Sequence, residues 1–206
     1  MSDELFWRRA LVVASALIYW VGVLAQARRV RRHIGRSPNL RPRGPKERLL
    51  WAGWLLVILV WVGQPFVLGV SAMPRWLQIV PPLVHPLGFA VGTLLLVAGY
   101  AGTLWCYASM GDAWRIGINR DEKNLLVTEG PYRAVRHPIY LYQIVMLAGA
   151  ALLLPTLLSA GILFLHLLCV RSKAADEEFY LQGLHGPGYR DYMSRTGRLF
   201  PRWTGN

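Results

Sequence analysis

The feature that most constrains the fold is an uncharged, largely apolar stretch of 32 residues, 139–170. As one straight helix it would be about 48 Å long, whereas the hydrocarbon core of a bilayer is about 30 Å thick. Pro155 lies at its middle, where a proline removes a backbone hydrogen bond and breaks a helix. The sequence therefore predicts two antiparallel helices that turn near Leu154 and Pro155.

Three further apolar blocks precede this hairpin, at about residues 10–27, 49–70 and 83–107. Each can span a bilayer, and 54% of the whole chain is hydrophobic, which is high for a soluble domain. We predict an all-α integral membrane protein with five transmembrane helices, the last two forming the hairpin. Residues 1–206 form a single membrane domain, in which 1–82 provide two helices and a basic loop.

The distribution of basic residues favours the hairpin. Of the 23 lysines and arginines, 20 lie in residues 28–48, in residues 108–138 or after residue 170. A hairpin places these three regions on one side of the membrane, and loops rich in Lys and Arg face the cytosol. We therefore expect an external N-terminus and a cytosolic C-terminus, in a bacterial inner membrane. The net charge of +12 then indicates contact with membrane lipids rather than nucleic acid.

Cysteines and histidines within the apolar blocks do not form a metal-binding pattern. Cys106 and Cys169 lack metal-type spacing, and we expect no disulfide between them. We expect His85 and His166 to be hydrogen-bonded histidines within the membrane rather than metal ligands. The first block ends in Gln26 and several arginines instead of a cleavage site, which argues against a cleavable signal peptide.

Polar residues flank the hairpin on both sides, so the fold brings them to one cytosolic mouth. On the near side, Pro138 suits the first turn of a helix, whose free N–H groups can hold an anion such as a carboxylate. The preceding residues, Arg136 and His137, fit this site but also fit a role as interfacial anchors.

On the far side, Lys173 and Glu177 share one helix face, and Glu178 lies about 100° away. A carboxylate here could hold a ligand ammonium, but a solvated acidic patch is the simpler interpretation. The tail that follows mixes aromatic residues and arginines. Its composition favours an interfacial anchor over a lid on the mouth.

Taken together, these segments resemble the isoprenylcysteine carboxyl methyltransferases and the related phospholipid N-methyltransferases. The resemblance covers about residues 105–202. It rests on LVTEGPYRAVRHPIY at 126–140, on Glu177 and Glu178 after a further 36 residues, and on HGPGYRDYMSRTGRLFP at 185–201. The stretch GDAWRIGI at 111–118 is similar to bacterial members. Residues 83–206 would then form the catalytic core.

The resemblance implies S-adenosylmethionine as cofactor, bound in a C-terminal cytosolic pocket. The cofactor-binding residues it implies are Asn124, Leu125, Leu126, Val127, Tyr132, His137, Pro138, Ile139, Tyr140, Glu177 and Glu178. Those on the substrate side are Lys173, Arg115 and Arg136. Two residues depart from the family. Tyr142 replaces a common glycine and could narrow the pocket, and Lys173 replaces an arginine that would grip a carboxylate with two hydrogen bonds.

The expected acceptor is lipid-like or prenylated, with methylation of a carboxylate oxygen favoured. It would arrive laterally from the membrane, between the first or second block and the hairpin, and end near Lys173 and Arg115. Methyl transfer from a sulfonium needs alignment and exclusion of water more than a base, so no catalytic base is assigned. Two alternatives stay open: a relative of the NADPH-dependent membrane sterol reductases, against which Pro138 argues, and a non-enzymatic membrane subunit.

Overall fold

The computed structural model describes residues 2–35, 38, 42, 44–68, 74–114 and 126–202. These residues form six α-helices, joined in places by short 3₁₀ turns. The helices are α1 (Ser2–Ile34), α2 (Pro45–Val67), α3 (Pro86–Met110), α4 (Pro138–Leu153), α5 (Leu157–His185) and α6 (Pro187–Arg195). The predicted all-α architecture is confirmed for these residues.

Four of the helices, α1, α2, α3 and α5, are long and apolar enough to cross a membrane. The fifth, α4, is equally apolar but has only 16 residues, or about 24 Å of helix. The break at Pro155 is confirmed, because α4 ends at Leu153 and α5 begins at Leu157. A full crossing by α4, and hence the count of five spans, stays a prediction.

The first helix is much longer than its apolar block. Its 33 residues include residues 28–34, the first part of the basic segment 28–48 that was predicted to be a loop. Acidic Asp3 and Glu4 lie in its first turn, and basic Arg31, Arg32 and His33 lie in its last, so both ends complement the helix dipole. The basic residues therefore continue α1 past its apolar block instead of ending the helix.

A buried polar cluster fixes the turn between α4 and α5. Thr156 caps α5 by accepting a hydrogen bond from the Ser159 backbone N–H at 2.9 Å. The side-chain amide of Gln64 on α2 donates to the Thr156 hydroxyl at 2.7 Å and to the Ser159 hydroxyl at 2.9 Å. All three side chains are buried, so α2 is tied to the hairpin turn by satisfied polar groups.

A fully buried arginine fixes the same end of the bundle. Arg8 donates to the backbone carbonyls of Leu152 and Leu153, which end α4, and to that of His85, which precedes α3. It also pairs with Glu4 one helical turn away at 2.8 Å. Arg8 therefore satisfies carbonyl groups that the end of a helix leaves unpaired.

Glycines on α3 and α4 let these two helices approach closely. A Cβ atom at Gly92 would lie 2.9 Å from the Gly149 carbonyl oxygen, and one at Gly102 would overlap the Tyr142 ring. Tyr142 therefore packs into the α3–α4 interface. The expectation that Tyr142 narrows the pocket is wrong, because Gly102 on α3 leaves room for its ring in the helix interface.

The two membrane histidines differ from each other. His85 caps α3, since its Nδ1 accepts a hydrogen bond from the Leu87 N–H at 3.1 Å, as expected of a satisfied histidine. His166 is buried in α5, and neither ring nitrogen has a hydrogen-bond partner among the described residues. The expectation of a hydrogen-bonded His166 is wrong. Cys106 and Cys169 are both buried free thiols.

Candidate cofactor and acceptor site

A cavity of about 280 Å³ lies at the end of the bundle where α4 begins. All six helices and the segment before α4 contribute to its wall. The lining residues are Tyr19, Val23, Leu50, Trp51, Trp54, Tyr107, Met110, Ala113, Trp114, Leu126, Val127, Tyr132, Arg136, His137, Ile139, Tyr140, Gln143, Cys169, Val170, Lys173, Glu177, Tyr180, Leu181, Tyr189 and Tyr192. Its volume lies near the lower end of the usual range for small-molecule pockets, about 300–1,000 Å³.

Glu177 is the centre of the polar part of this wall. Its Oε1 accepts a hydrogen bond from the Tyr140 hydroxyl at 2.7 Å, and its Oε2 lies 3.3 Å from Nδ1 of His137. Lys173 lies one helical turn away on α5, with Nζ 4.0 Å from the same carboxylate. The rings of His137 and Tyr140 stack with their centroids 5.7 Å apart. The hairpin thus brings α4 and α5 side chains together as predicted.

Backbone pairing with the C-terminal tail holds His137 in place. Pro138 occupies the first turn of α4 and leaves His137 just outside the helix. The His137 N–H donates to the Arg198 carbonyl at 3.1 Å, and the Arg136 N–H donates to the Gly197 carbonyl at 2.8 Å. Because the tail after α6 pairs with the approach to α4, it determines where the histidine ring can lie.

A cluster of ion pairs also holds the C-terminal tail against the segment before α4. One oxygen of Glu178 accepts from Nε of Arg136 at 2.7 Å, and the other accepts from Nη2 of Arg198 at 2.6 Å. Arg136 also donates to the carbonyls of Met193 and Thr196 at the end of α6. Glu178 is only 2% exposed, so the interpretation as a solvated patch is wrong for this residue.

The charge state of His137 follows from its neighbours. Burial alone lowers its pKa, but the nearby carboxylates of Glu177 and Glu178 outweigh burial and raise the pKa above its ordinary value of 6.5. The site therefore favours an imidazolium between two carboxylates. Burial also raises the pKa of the Tyr192 hydroxyl to about 12, so this tyrosine stays neutral.

Three buried polar atoms in the cavity wall have no hydrogen-bond partner among the described residues. They are Nε2 of His137, Oε1 of Gln143 and the hydroxyl of Tyr189. Nε2 of His137 lies 3.5 Å from Glu178, without hydrogen-bond geometry. Since buried polar groups are normally paired, these atoms mark places where a ligand can complete the wall.

The structure brings most of the predicted site residues together. Nine of them line the cavity: Leu126, Val127, Tyr132, Arg136, His137, Ile139, Tyr140, Lys173 and Glu177. Two others do not line its described part. Pro138 is buried as the first residue of α4, and Glu178 is occupied by two arginines. Three residues, Arg115, Asn124 and Leu125, lie outside the described residues.

Several lining residues were not predicted. Tyr189 and Tyr192 are buried in the wall, so the interpretation of the tail as an interfacial anchor is wrong for them. The Tyr192 hydroxyl donates to the Tyr132 carbonyl at 2.7 Å and thereby joins α6 to the segment before α4. Gln143 follows Tyr140 by three residues, a spacing that places these two side chains on one face of α4.

The fold and the cavity define an integral membrane protein whose helical bundle contains a cavity with a partly charged and partly apolar wall. Residues 91–183 match the model of the isoprenylcysteine carboxyl methyltransferase family, so this part of the chain is similar to that family. The matched part contains most of α3, all of α4 and nearly all of α5. The resemblance predicted from the motifs is confirmed, and it indicates a membrane methyltransferase.

Two bacterial relatives carry names that refer to metal resistance. The nickel-cobalt-cadmium resistance protein NccN of Alcaligenes xylosoxydans xylosoxydans is 30% identical over 112 residues, which are 54% of this chain and 49% of that protein. The cobalt-zinc-cadmium resistance protein CzcN of Cupriavidus metallidurans is 28% identical over 119 residues, or 58% and 51%. The chain thus spans about half the length of these relatives. Its described residues contain no cluster of three or more His, Cys, Asp or Glu arranged for a metal ion.

Proposed function

We propose that the protein is a membrane-embedded methyltransferase that transfers a methyl group from S-adenosylmethionine to a lipid-like or prenylated acceptor. Methylation of a carboxylate oxygen is the favoured reaction. The observation that carries the proposal is the cavity itself. It joins a charged wall around Glu177 to an apolar wall formed by α1, α2 and α5. A site of this composition suits a polar cofactor and an acceptor with an apolar tail.

The residues around the start of α4 fit the cofactor. Its ammonium and sulfonium groups are cationic, and Glu177 supplies a carboxylate that lines the cavity. Its own carboxylate and its adenine and ribose need hydrogen-bond donors, which His137 and the Tyr189 hydroxyl can supply from atoms with no described partner. Leu126, Val127 and Ile139 add an apolar surface beside them. Tyr189 thus joins the residues that we assign to the cofactor.

The apolar side of the cavity fits a lipid-like acceptor. Val23 on α1, Leu50 and Trp54 on α2, and Val170 on α5 line it. These helices are three of the four long enough to span a membrane. An acceptor tail could therefore stay in lipid while its head reaches Lys173, whose ammonium lies 4.0 Å from Glu177. This arrangement supports lateral access between the first two helices and the hairpin.

The reaction requires alignment more than proton transfer. When bound, S-adenosylmethionine supplies a methyl group on a sulfonium; the acceptor atom donates an electron pair to the methyl carbon, and the pair of the broken carbon–sulfur bond stays on sulfur. Lys173 would attract an anionic acceptor head, and Glu177 would orient the cofactor. The buried aromatic wall would exclude water. A carboxylate acceptor needs no base.

The decisive experiment is calorimetric titration of the detergent-purified protein with S-adenosylhomocysteine and, separately, with NADPH. We expect the protein to bind S-adenosylhomocysteine and not NADPH. His137→Ala and Glu177→Gln should weaken this binding. The control Asp176→Asn should retain it, because Asp176 is not a lining residue of the described cavity. Binding of NADPH alone would favour a reductase. Binding of neither compound would favour a non-enzymatic subunit.

The proposed orientation places the cavity on the cytosolic side of a bacterial inner membrane. It is tested with single cysteines at exposed positions on opposite ends of the bundle, Arg75→Cys and Arg190→Cys. A membrane-impermeant maleimide added to intact cells should label position 75, and should label position 190 only after permeabilisation. Labelling of position 190 in intact cells would reverse the orientation.

A further inference from the structure

A basic hollow lies on the outside of α1, past the apolar block of this helix. The hollow is lined by Ala25, Arg28, Arg29, Arg32 and His33, all of which are exposed. These positions follow one another at the three- and four-residue intervals that place side chains on one helix face. We call this feature the arginine hollow. It concentrates positive charge on a part of α1 that points away from the bundle.

The arginines of this hollow have no counter-ion in the part of the chain that the structure describes. None of the ion pairs formed there includes Arg28, Arg29 or Arg32. His33 does pair, with Asp112 after α3 at 3.0 Å, so that carboxylate is engaged at the edge of the hollow. Three like charges within about 6 Å of helix repel one another. An anion bound between them is therefore attracted and also relieves this repulsion.

An apolar stripe on the same helix leads directly to the arginine hollow. Leu17, Val21 and Leu24 precede Arg28 at intervals of four, three and four residues, which places all four side chains on one helix face. The three apolar side chains are 60%, 65% and 53% exposed, as expected of residues that face lipid tails. Leu17 lies about 17 Å along the helix from Arg28, which is roughly half the thickness of the hydrocarbon core. The stripe therefore has the length of one leaflet, with the arginines at its headgroup end.

We propose that α1 binds a membrane phospholipid of net negative charge, with its phosphate in the arginine hollow and its acyl chains along the apolar stripe. Guanidinium groups donate paired hydrogen bonds that match two phosphate oxygens. A zwitterionic phospholipid offers the same phosphate but adds an ammonium group, which the three arginines repel. The site therefore selects for the net charge of the headgroup. The opposite face of α1 lines the cavity through Tyr19 and Val23, so the lipid site is separate from the cavity and does not rest on the proposed function.

The test uses native mass spectrometry of the detergent-purified protein, which counts the lipid molecules that stay bound. Phosphatidylglycerol and phosphatidylcholine with identical acyl chains are titrated separately, and glycerol 3-phosphate serves as a water-soluble phosphate without chains. A basic residue near an anionic lipid surface strengthens binding about fivefold. We therefore expect phosphatidylglycerol to bind at least about tenfold more tightly than phosphatidylcholine, and glycerol 3-phosphate to bind more weakly than either lipid.

Two variants of the hollow should lose this preference. Arg28→Gln combined with Arg32→Gln removes two of the charges. Ala25→Glu instead places a carboxylate in the hollow, where it can pair with the arginine four residues further on, and its exposed position spares the core. The matched control, Arg48→Gln combined with Arg190→Gln, removes the same charge from exposed positions elsewhere and should keep the preference.

The outcomes separate a lipid site from general charge attraction and from a site for soluble phosphates. Equal binding of the two phospholipids by the wild-type protein would overturn the proposal, as would an unchanged preference in both hollow variants. A loss of preference as large in the control would also overturn it, because charge anywhere on the surface would then suffice. Binding of glycerol 3-phosphate as tight as that of phosphatidylglycerol would exclude the lipid as the specific occupant. Circular dichroism checks that each variant keeps its helices.

Discussion

The ion cluster around Glu178 should control whether the C-terminal tail stays on the cavity. Glu178→Gln keeps the shape of the side chain but removes its charge, leaving the Arg136 guanidinium without its buried counter-ion. The side chains of Arg136 and Glu178 are 9% and 3% exposed, so their contact resembles a buried ion pair. Removing one partner of such a pair costs about 3–5 kcal/mol.

The expected cost lies at the low end of this range. Arg198, the second partner of Glu178, has 39% of its side chain exposed, so water can solvate it after the change. The introduced glutamine can still accept one hydrogen bond. We therefore expect about 3 kcal/mol, which corresponds to roughly a hundredfold increase in opening of the tail.

Amide hydrogen exchange measures this opening directly. The N–H groups of Arg136, His137 and Gly197 are bonded between the tail and the segment before α4, and they should exchange about a hundredfold faster in Glu178→Gln. The matched control is Asp176→Asn, which removes a more exposed pair with Lys46 and should cost less than about 1 kcal/mol. Equal exchange at the three amides in both variants would refute this account of the tail.

Three further outcomes follow from the contacts. Arg8→Met should destabilise the protein by at least about 2 kcal/mol, because it leaves buried carbonyls at the end of α4 unpaired. Thermal unfolding measures this loss of stability, with a substitution of an exposed arginine, Arg28→Met, as the control. Gly102→Ala should cost about 1–3 kcal/mol by overpacking against Tyr142, and the added substitution Tyr142→Ala should recover part of the loss; no recovery would contradict the packing described. Because the folded-state pKa of His137 is raised, its contribution to stability should be full below about pH 6.5 and lost as pH rises through the raised value; this dependence should be absent from melting curves of His137→Gln.

The hairpin could be predicted from the sequence because its determinants are local. Pro155 interrupts one uncharged stretch, and the basic residues on either side indicate a common face of the membrane. The end of α1 could not be predicted in the same way. Its arginines are compatible with a loop or a helix extension, and only the surrounding structure decides between them.

The site could be predicted in part. The motif around His137 and the residues 177 and 178 identified the region in which the cavity lies, but the sequence could not say which carboxylate faces the cavity. That depends on how α5 is rotated against α4 and the tail. The contact between Tyr19 and Gln143 joins distant parts of the chain, so no local pattern reveals it. Tyr142 was misjudged because its partner, Gly102, lies on another helix.

The most direct test of the account is methyl transfer by the purified protein in lipid vesicles. The assay supplies S-adenosylmethionine with a labelled methyl group and a carboxylate acceptor that carries a prenyl chain. We expect label in the lipid-soluble product that mild base releases as volatile methanol, as a methyl ester requires, with transfer strongly reduced in Glu177→Gln and retained in Asp176→Asn. Absence of labelled product from wild-type protein, or equal transfer by Glu177→Gln, would contradict the assignment of the cavity as the site of methyl transfer.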